Sequence, residues 1–338
     1  MADVVTLTVA EVIAETADAR SIVFTVPEEH RAAFAYEPGQ FLTLRIPSDR
    51  TGSVARCYSL SSAPHEKRMQ VTVKRTGFGS GWVCEELRAG AEIDVLPPAG
   101  VFVPASLDGD FLLFAAGSGI TPVMSILKSA LRHGSGQVVL VYANRDEASV
   151  IFARQLAELT GRHPDRLTVV HWLESLQGLP SARTLEALAA PYRGHDAYLC
   201  GPALFLAAAR TALTELGVPR ERVHVEKFHS LTGNPFEHAV EPAADGGEPV
   251  RLTVDLDGET RTVIWPRQRK LLDHLLAEGL DAPYSCREGQ CSACACRLVS
   301  GEVKMLDNEV LDAEDLADGI VLACQSLPVT DEVSVSYD

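Results

Sequence analysis

Cys286, Cys291, Cys294 and Cys324 are spaced C-x4-C-x2-C, followed by a gap of 29 residues and a fourth cysteine. No other feature restricts the fold of this chain so tightly. Three thiolates from one loop and a fourth from a distant segment converge only if the loop wraps a compact inorganic core. This spacing is the one used for a [2Fe–2S] centre. Gly289 lets the loop turn and lets backbone N–H groups approach sulfur, where such hydrogen bonds tune the potential. Ser292 and Ala293 are small and leave the core room. The competing reading is structural zinc, which is usually held by paired C-x2-C knuckles, and this chain has one. Cys296 lies two residues beyond Cys294, alternates away on an emerging strand and is read as structural. Five of the eight cysteines fall within residues 286–324; the others are Cys57, Cys84 and Cys200. In a reducing compartment that clustering signals metal rather than disulfides.

A chain of 338 residues has a length suited to two or three domains. With 46% apolar and 22% charged residues, disorder and fibrous repeats are excluded. Residues 1–105 break into short alternating segments: VVTLTVAEV, SIVFTV, QFLTLRI, ARCYSLS, MQVTVKR and EIDVLPP. Turn signals at Pro38-Gly39, Thr51-Gly52 and Pro97-Pro98 divide them, the pattern of an antiparallel barrel or sandwich. From residue 110 the texture changes. The runs FLLFAAG, QVVLVYAN, LTVVHWL and DAYLCG alternate with helical patterns at 122–132, 149–159 and 203–216, which predicts an α/β unit with a parallel sheet. Residues 229–248 hold Gly, Pro and acidic residues without periodicity and read as a linker. Beyond it, LTVDLDGETRTVIW predicts a hairpin at Asp257-Gly258, then a helix at about 268–278 and the cysteine loop.

The amino terminus carries Asp3 and Glu11 and no basic stretch, so it is not expected to be a secretory signal. The longest uncharged run, residues 111–127, is 17 residues long and broken by Gly117, Gly119 and Pro122. It suits a buried strand, a turn and a helix start better than a membrane span. A soluble cytoplasmic protein is expected. The net charge of −16 argues against a sequence-independent nucleic-acid binder. Residues 1–228 carry 22 basic and 25 acidic residues, whereas residues 249–338 carry 8 and 17. The acidity is concentrated at the cysteine-bearing end, as a solvated surface or as a face for a basic partner.

Arg56 and Tyr58 are two apart on an extended segment and point to one face. A guanidinium forks onto phosphate and a flat ring packs on a flavin, although an ordinary strand carrying both residues is the simpler reading for the pair alone. Gly77-x-x-Ser80 opens a helical segment whose N-terminus can bind phosphate. Gly117-Ser118-Gly119-Ile120-Thr121-Pro122 follows an apolar strand and places proline in a helix's first turn, without the third glycine of the dinucleotide fingerprint. Cys200-Gly201-Pro202 ends a later strand, where the thiol alone reads as buried and inert. Glu226-x-Phe228 ends the last one, and core packing is the alternative for Phe228.

Together these segments resemble the ferredoxin–NADP⁺ reductase superfamily, followed by a plant-type ferredoxin domain of the β-grasp fold carried by YSCREGQCSACACRLVSGEV and ACQSLP. The resemblance implies an FAD-binding β-barrel at 1–105, an NAD-binding α/β domain at 106–228, a linker at 229–248 and a [2Fe–2S] ferredoxin domain at 249–338. It implies that Arg56 contacts the FAD pyrophosphate, Tyr58 packs on the isoalloxazine and Ser59 sits near the reactive flavin nitrogen. Val73, Lys74, Gly77 and Ser80 belong to the same flavin site. Gly117, Gly119, Thr121 and Pro122 bring backbone to the nicotinamide and pyrophosphate, and Cys200, Gly201 and Pro202 flank the nicotinamide. Glu226 is a further cofactor-binding residue, and Phe228 covers the flavin. Many relatives have Gly where this chain has Ser292. The implied activity is hydride transfer from NADH to FAD, then single-electron transfer through the cluster to a separate Rieske-type oxygenase docked on the acidic ferredoxin domain. A reductase for another oxygenase such as an epoxidase is a rival reading, and so is an iron–sulfur or zinc sensing protein without turnover. Glu174-Ser175-Leu176-Gln177 holds a carboxylate and no cation before Arg183, which favours NADH over NADPH, with Arg145 as the counterweight.

Overall fold

The computed structural model describes residues 4–49, 51–228, 231, 233–236, 248–256, 258–311 and 313–337. The first sheet contains β1 (Val5–Thr16), β2 (Ala19–Thr25), β3 (Phe41–Ser48), β4 (Gly52–Ser59) and β5 (Met69–Lys74). After helix α1 (Phe78–Glu86) it ends with β6 (Glu92–Ala99). The six strands run antiparallel in the order β4-β3-β6-β1-β2-β5. An isolated bridge between Leu60 and Val71 joins the two ends and closes a barrel. Alternation supplies its core: Leu42, Leu44 and Ile46 of β3 point inward with Val83 of α1 and Leu87 just after it.

The second unit contains β7 (Phe111–Ala116), α2 (Ile120–His133), β8 (Val138–Asn144), α3 (Ala153–Arg162) and β9 (Leu167–Leu173). It continues through α4 (Glu174–Gln177), α5 (Ala182–Ala189), β10 (Asp196–Cys200), α6 (Ala203–Glu215) and β11 (Val223–Glu226). The strands are all parallel in the order β11-β10-β7-β8-β9. Phe111, Leu113 and Ala115 of β7 face α2 and α3, while Leu112, Phe114 and Ala116 face α5 and α6. A strand buried on both faces reads as an unbroken apolar run, which is why FLLFAA has no charge. Chain connections leave β7 and β10 toward opposite faces, so a crevice opens at their carboxyl ends, where doubly wound sheets bind ligands.

The third unit contains β12 (Val250–Leu256), β13 (Glu259–Trp265), α7 (Leu271–Ala277), β14 (Ala295–Ser300) and β15 (Val303–Met305). It ends with α8 (Ala313–Ala317), β16 (Ile320–Leu322), β17 (Ser326–Pro328) and β18 (Glu332–Ser336). Its main sheet runs β13-β12-β18-β14-β16, with β12 and β18 parallel and α7 packed against it through Leu271, Leu272 and Leu275. The expected hairpin is β12–β13; its Asp257 lies outside the described residues. Of the expected linker, residues 229, 230, 232 and 237–247 also lie outside them. Leu231 is buried beside Ala55, and Asn234 Nδ2 donates to Ser53 Oγ at 2.8 Å, so this start of the segment is packed on the barrel. Helix α5 has no counterpart among the expected helical patterns, although Ser181 caps it through the Thr184 N–H.

The uncharged run 111–127 is β7, a 3-10 turn at Gly117–Gly119 and the start of α2. Among the described residues no helix is long and apolar enough to cross a membrane. Helix α2 is buried along nearly all its length because the barrel covers what the sheet leaves open. Ser125 Oγ donates to the Ser62 carbonyl at 2.6 Å, and Lys128 Nζ pairs with Glu66 at 2.5 Å. Lys128 is only 6% exposed, so removing it strands a partly buried carboxylate. Lys128→Met is expected to lower the unfolding free energy by roughly 2–4 kcal/mol. Arg31→Met, at an exposed pair, should lower it by less than about 0.5 kcal/mol, both read from denaturant midpoints. Equal losses would show that the interdomain pair contributes nothing net.

Candidate functional site

A cleft of about 690 Å³ opens between β4, β5 and α1 of the barrel and the carboxyl ends of β7 and β10. Arg56, Tyr58, Ser59, Val73, Lys74, Gly77, Ser80, Thr121, Gly201, Pro202 and Phe228 all line it. Arg56 and Tyr58 share one face of β4, as their spacing requires. The Arg56 guanidinium donates to the carbonyls of Ala55 and Leu231 at 2.6 and 3.2 Å, which fixes its stem beside the cleft. The Tyr58 hydroxyl is buried without a hydrogen-bond partner, and burial holds its pKa above the ordinary value. An orphaned hydroxyl in the wall of the cleft fits a bound group that completes it. Ser80 Oγ accepts from the N–H groups of Thr76 and Gly77, both at 2.9 Å, so it shapes the turn that enters α1.

Across the cleft, Gly119 and the end of β10 meet backbone to backbone. A Cβ at Gly119 would sit 2.1 Å from the Cys200 carbonyl oxygen, so only glycine permits this approach. Gly119, Pro122 and Cys200 are buried behind the cleft wall, and Gly117 is partly exposed beside it. The Cys200 thiol is fully buried in the sheet core, and burial pushes its pKa well up. Thr121 Oγ1 donates to the Ser118 carbonyl at 3.1 Å, and Tyr142 donates to the Gly117 carbonyl at 3.0 Å. Tyr142 was not among the expected residues; it sits mid-strand on β8, where sequence shows only another apolar position. Arg210 and Lys227 also line the cleft and were not expected. Both supply positive charge, and neither belongs to a recognisable motif.

Phe228 is 50% exposed at the cleft mouth, not packed in a core. Glu226 does not line the main cleft; it lines a small cavity of about 40 Å³, shared with Ser59, Phe228 and Cys291, and a groove of about 720 Å³ shared with Cys291 and Ser292. Burial pushes its carboxyl up to about 7.

Cys286, Cys294 and Cys324 are buried and Cys291 is partly exposed. The N–H groups of Glu288 and Gln290 donate to Cys286 Sγ at 3.3 and 3.4 Å, and that of Cys324 donates to Cys294 Sγ at 3.4 Å. The neighbouring Cys291 and Cys324 thiols and those two N–H groups draw the Cys286 thiol below its ordinary value, while contact with Cys286 and burial push Cys291 and Cys324 up. Among the described residues no three His, Cys, Asp or Glu side chains are arranged to hold a single metal ion. A two-iron core spreads four thiolates over two metals, so the donor set and its N–H groups fit that core better than a mononuclear one. Gly289 takes a φ of +77°, and a Cβ there would press on the Asp307 carbonyl at 3.0 Å. Ser292 takes a φ of +55°, the left-handed region that glycine enters without strain, which explains why a glycine suits this position. Cys296 points into the core of the third unit, where burial pushes its thiol up to about 12.

Three units, a cleft at a sheet switch point and a four-thiol loop define a nicotinamide-dependent iron–sulfur oxidoreductase. The model of the 2Fe-2S iron-sulfur cluster binding domain matches residues 254–329, and that of the oxidoreductase NAD-binding domain matches residues 113–211. The chain is 57% identical to the ferredoxin reductase component of 3-ketosteroid-9-alpha-monooxygenase from Rhodococcus rhodochrous, over 98% of this chain and 97% of that protein. It is 36% identical to one of the subunits of 1,2-phenylacetyl-CoA epoxidase from Escherichia coli, over 98% and 97%. Among solved structures it matches phthalate dioxygenase reductase with a TM-score of 0.58 and 24% identity, covering 98% of both chains. That likeness shows the fold: antiparallel sheet, parallel sheet and carboxy-terminal iron–sulfur domain in one order. The chain belongs to the family of 3-ketosteroid-9-alpha-monooxygenase ferredoxin reductase components.

The raised pKa of Glu226 makes stability depend on pH. An unfolded Glu titrates near 4.5 and the folded one near 7, so the folded state holds the proton more tightly. That contribution is fully present below about 4.5 and is lost as pH rises through 7. Glu226→Gln is therefore expected to match the parent's thermal stability at about pH 4 and to exceed it by on the order of 2 kcal/mol at about pH 8. A difference that does not change with pH would overturn the assignment.

Proposed function

We propose that the chain carries electrons from NADH through FAD and a [2Fe–2S] centre to a separate Rieske-type oxygenase that hydroxylates a 3-ketosteroid. One observation carries the order of transfer: Ser59 and Phe228 of the cleft and Cys291 of the cysteine loop line the same 40 Å³ cavity. When bound, FAD exchanges electron pairs with nicotinamide and single electrons with iron–sulfur centres. The chain's own residues supply position. Arg56, Lys74 and the turn from Gly77 to Ser80 suit a pyrophosphate, with Val73 in the same wall. Tyr58 and Phe228 suit the two faces of a flat ring, with Ser59 at its edge. The turns at Gly117, Gly119, Thr121 and Pro122 and at Cys200, Gly201 and Pro202 bring backbone to the nicotinamide, with Glu226 behind it. Cys286, Cys291, Cys294 and Cys324 hold the cluster. Glu174 follows β9 at the carboxyl edge of the sheet, a carboxylate that supports NADH over NADPH. The eight cysteines are unpaired with one another, which supports a reducing cytoplasm.

Identity favours the steroid system over the epoxidase, 57% against 36% over nearly the whole chain. Cys324→Ala is expected to lose most of the bound iron while NADH still bleaches the flavin at the parent's rate, because the cleft holds none of the four thiols. Full iron content in the variant would remove the ligand assignment.

Docking through the ferredoxin domain rests on its net acidity and on which acids are exposed. Glu288 is half-buried against Gly233, whereas Asp307 and Glu309 stand exposed beside the loop, next to Leu306, itself 51% exposed. Complementary charge raises on-rates more than it deepens affinity. Raising salt from about 50 to about 300 mM, or Asp307→Lys, should slow electron delivery to the oxygenase severalfold and leave flavin reduction by NADH unchanged. Glu288→Lys should act more weakly. If neither salt nor Asp307→Lys changes delivery, docking rests on apolar contacts instead.

A further inference from the structure

Strand β4 serves two sites at once. Arg56 and Tyr58 line the cleft, and Cys57 between them reaches its wall while packing, with Ala55, against Cys286 and Cys291 of the cysteine loop. On the adjacent strand Thr43 is the register partner of Cys57. Its Oγ1 lies 3.4 Å from Cys57 Sγ and 2.5 Å from the hydroxyl of Ser285, the residue before Cys286. Thr43 and Ser285 are each 1% exposed and stand 242 residues apart in sequence. Each hydroxyl therefore serves the other inside an otherwise apolar seam. Sliding the cysteine loop along the barrel would break this bond, leaving the Ser285 hydroxyl without its partner and Thr43 with only the weaker contact to Cys57, which is costly. Apolar contacts tolerate a shift; a buried hydrogen bond fixes register.

We propose that Thr43, Cys57 and Ser285 form a positioning seam that sets the gap between the flavin cleft and the cluster. The inference rests on the proposed electron-transfer function and adds to it which residues hold the distance. None of the three is a cluster ligand; they act by locating Cys286 and Cys291 against β4. Electron transfer falls steeply as such a gap widens, whereas hydride transfer from nicotinamide to a bound flavin would not depend on it.

The test uses the full chain with its groups bound. Thr43→Val and Ser285→Ala, alone and together, are compared with Thr43→Ser, which keeps the hydroxyl. In anaerobic single-turnover mixing, the double variant should reduce its flavin with NADH at the parent's rate, then reduce its cluster about tenfold more slowly. Iron content and cluster potential should be unchanged, and Thr43→Ser should restore the rate. A second readout needs no turnover: alkylation of Cys57 by iodoacetamide, followed by peptide mass spectrometry, should be severalfold faster in the double variant than in the parent. Cluster reduction and Cys57 labelling both at the parent's rates would overturn the proposal. So would loss of iron in both single variants, since the seam would then support the cluster rather than set its distance. Should the parent itself show no NADH-driven flavin bleaching, the functional reading fails separately, and the labelling rates alone decide whether the seam exists.

Discussion

The architecture depends on the period-two alternation of one strand. Because successive side chains of β4 point to opposite faces, the residues that line the cleft and those that back onto the cysteine loop are neighbours in sequence. A strand is one backbone thick, so two sites built on its two faces cannot be far apart. That geometry constrains everything around it. The barrel must close, through the Leu60–Val71 bridge, to keep β4 rigid, and the third unit must fold back onto the barrel rather than trail from it.

A second constraint operates at the parallel sheet. Strands β7 and β10 are adjacent, and their following turns leave to opposite faces, which makes the crevice. The turn after β7 can approach that after β10 only because position 119 has no Cβ, and Tyr142 secures the Gly117 carbonyl from the next strand. Cys200 illustrates how such a site uses a residue without exposing it. Its thiol fills the core, and its carbonyl, pressed on Gly119, shapes the surface.

What the sequence made legible was local. The cysteine spacing, Arg56-x-Tyr58-Ser59 and the Gly117–Pro122 turn each place their residues through covalent geometry over a few positions, and the structure brings the last two together at one cleft. The Thr43–Ser285 contact, the Lys128–Glu66 pair and the contribution of Arg210 lie outside such reach, because they join residues from different units with no fixed spacing. Composition misdirected at the start of the segment after Phe228. Gly and Pro suggested a tether, yet Leu231 and Asn234 pack on the barrel, since a few apolar and amide side chains suffice to anchor a short stretch. The positive φ of Ser292 was invisible for a different reason: a serine in left-handed backbone looks like any other serine until its neighbours impose the turn.

The contacts between units are graded, and the grading matches what each must do. The barrel and the parallel-sheet unit are joined by the largely buried Lys128–Glu66 pair and the Ser125–Ser62 bond, which salt screens far less than exposed pairs. The ferredoxin unit meets the barrel through two buried hydroxyls and apolar packing, indifferent to salt. Its ion pair with the parallel-sheet unit, Arg220–Glu314 at 2.5 Å, is 50% and 63% exposed and contributes little in water. Short-range, desolvated contacts thus join the units, and net negative charge is concentrated in the ferredoxin unit, residues 249–338. A partner that must arrive, accept an electron and leave is better served by screened, long-range attraction than by a buried seam, because the same charges that speed encounter add little to the barrier for release.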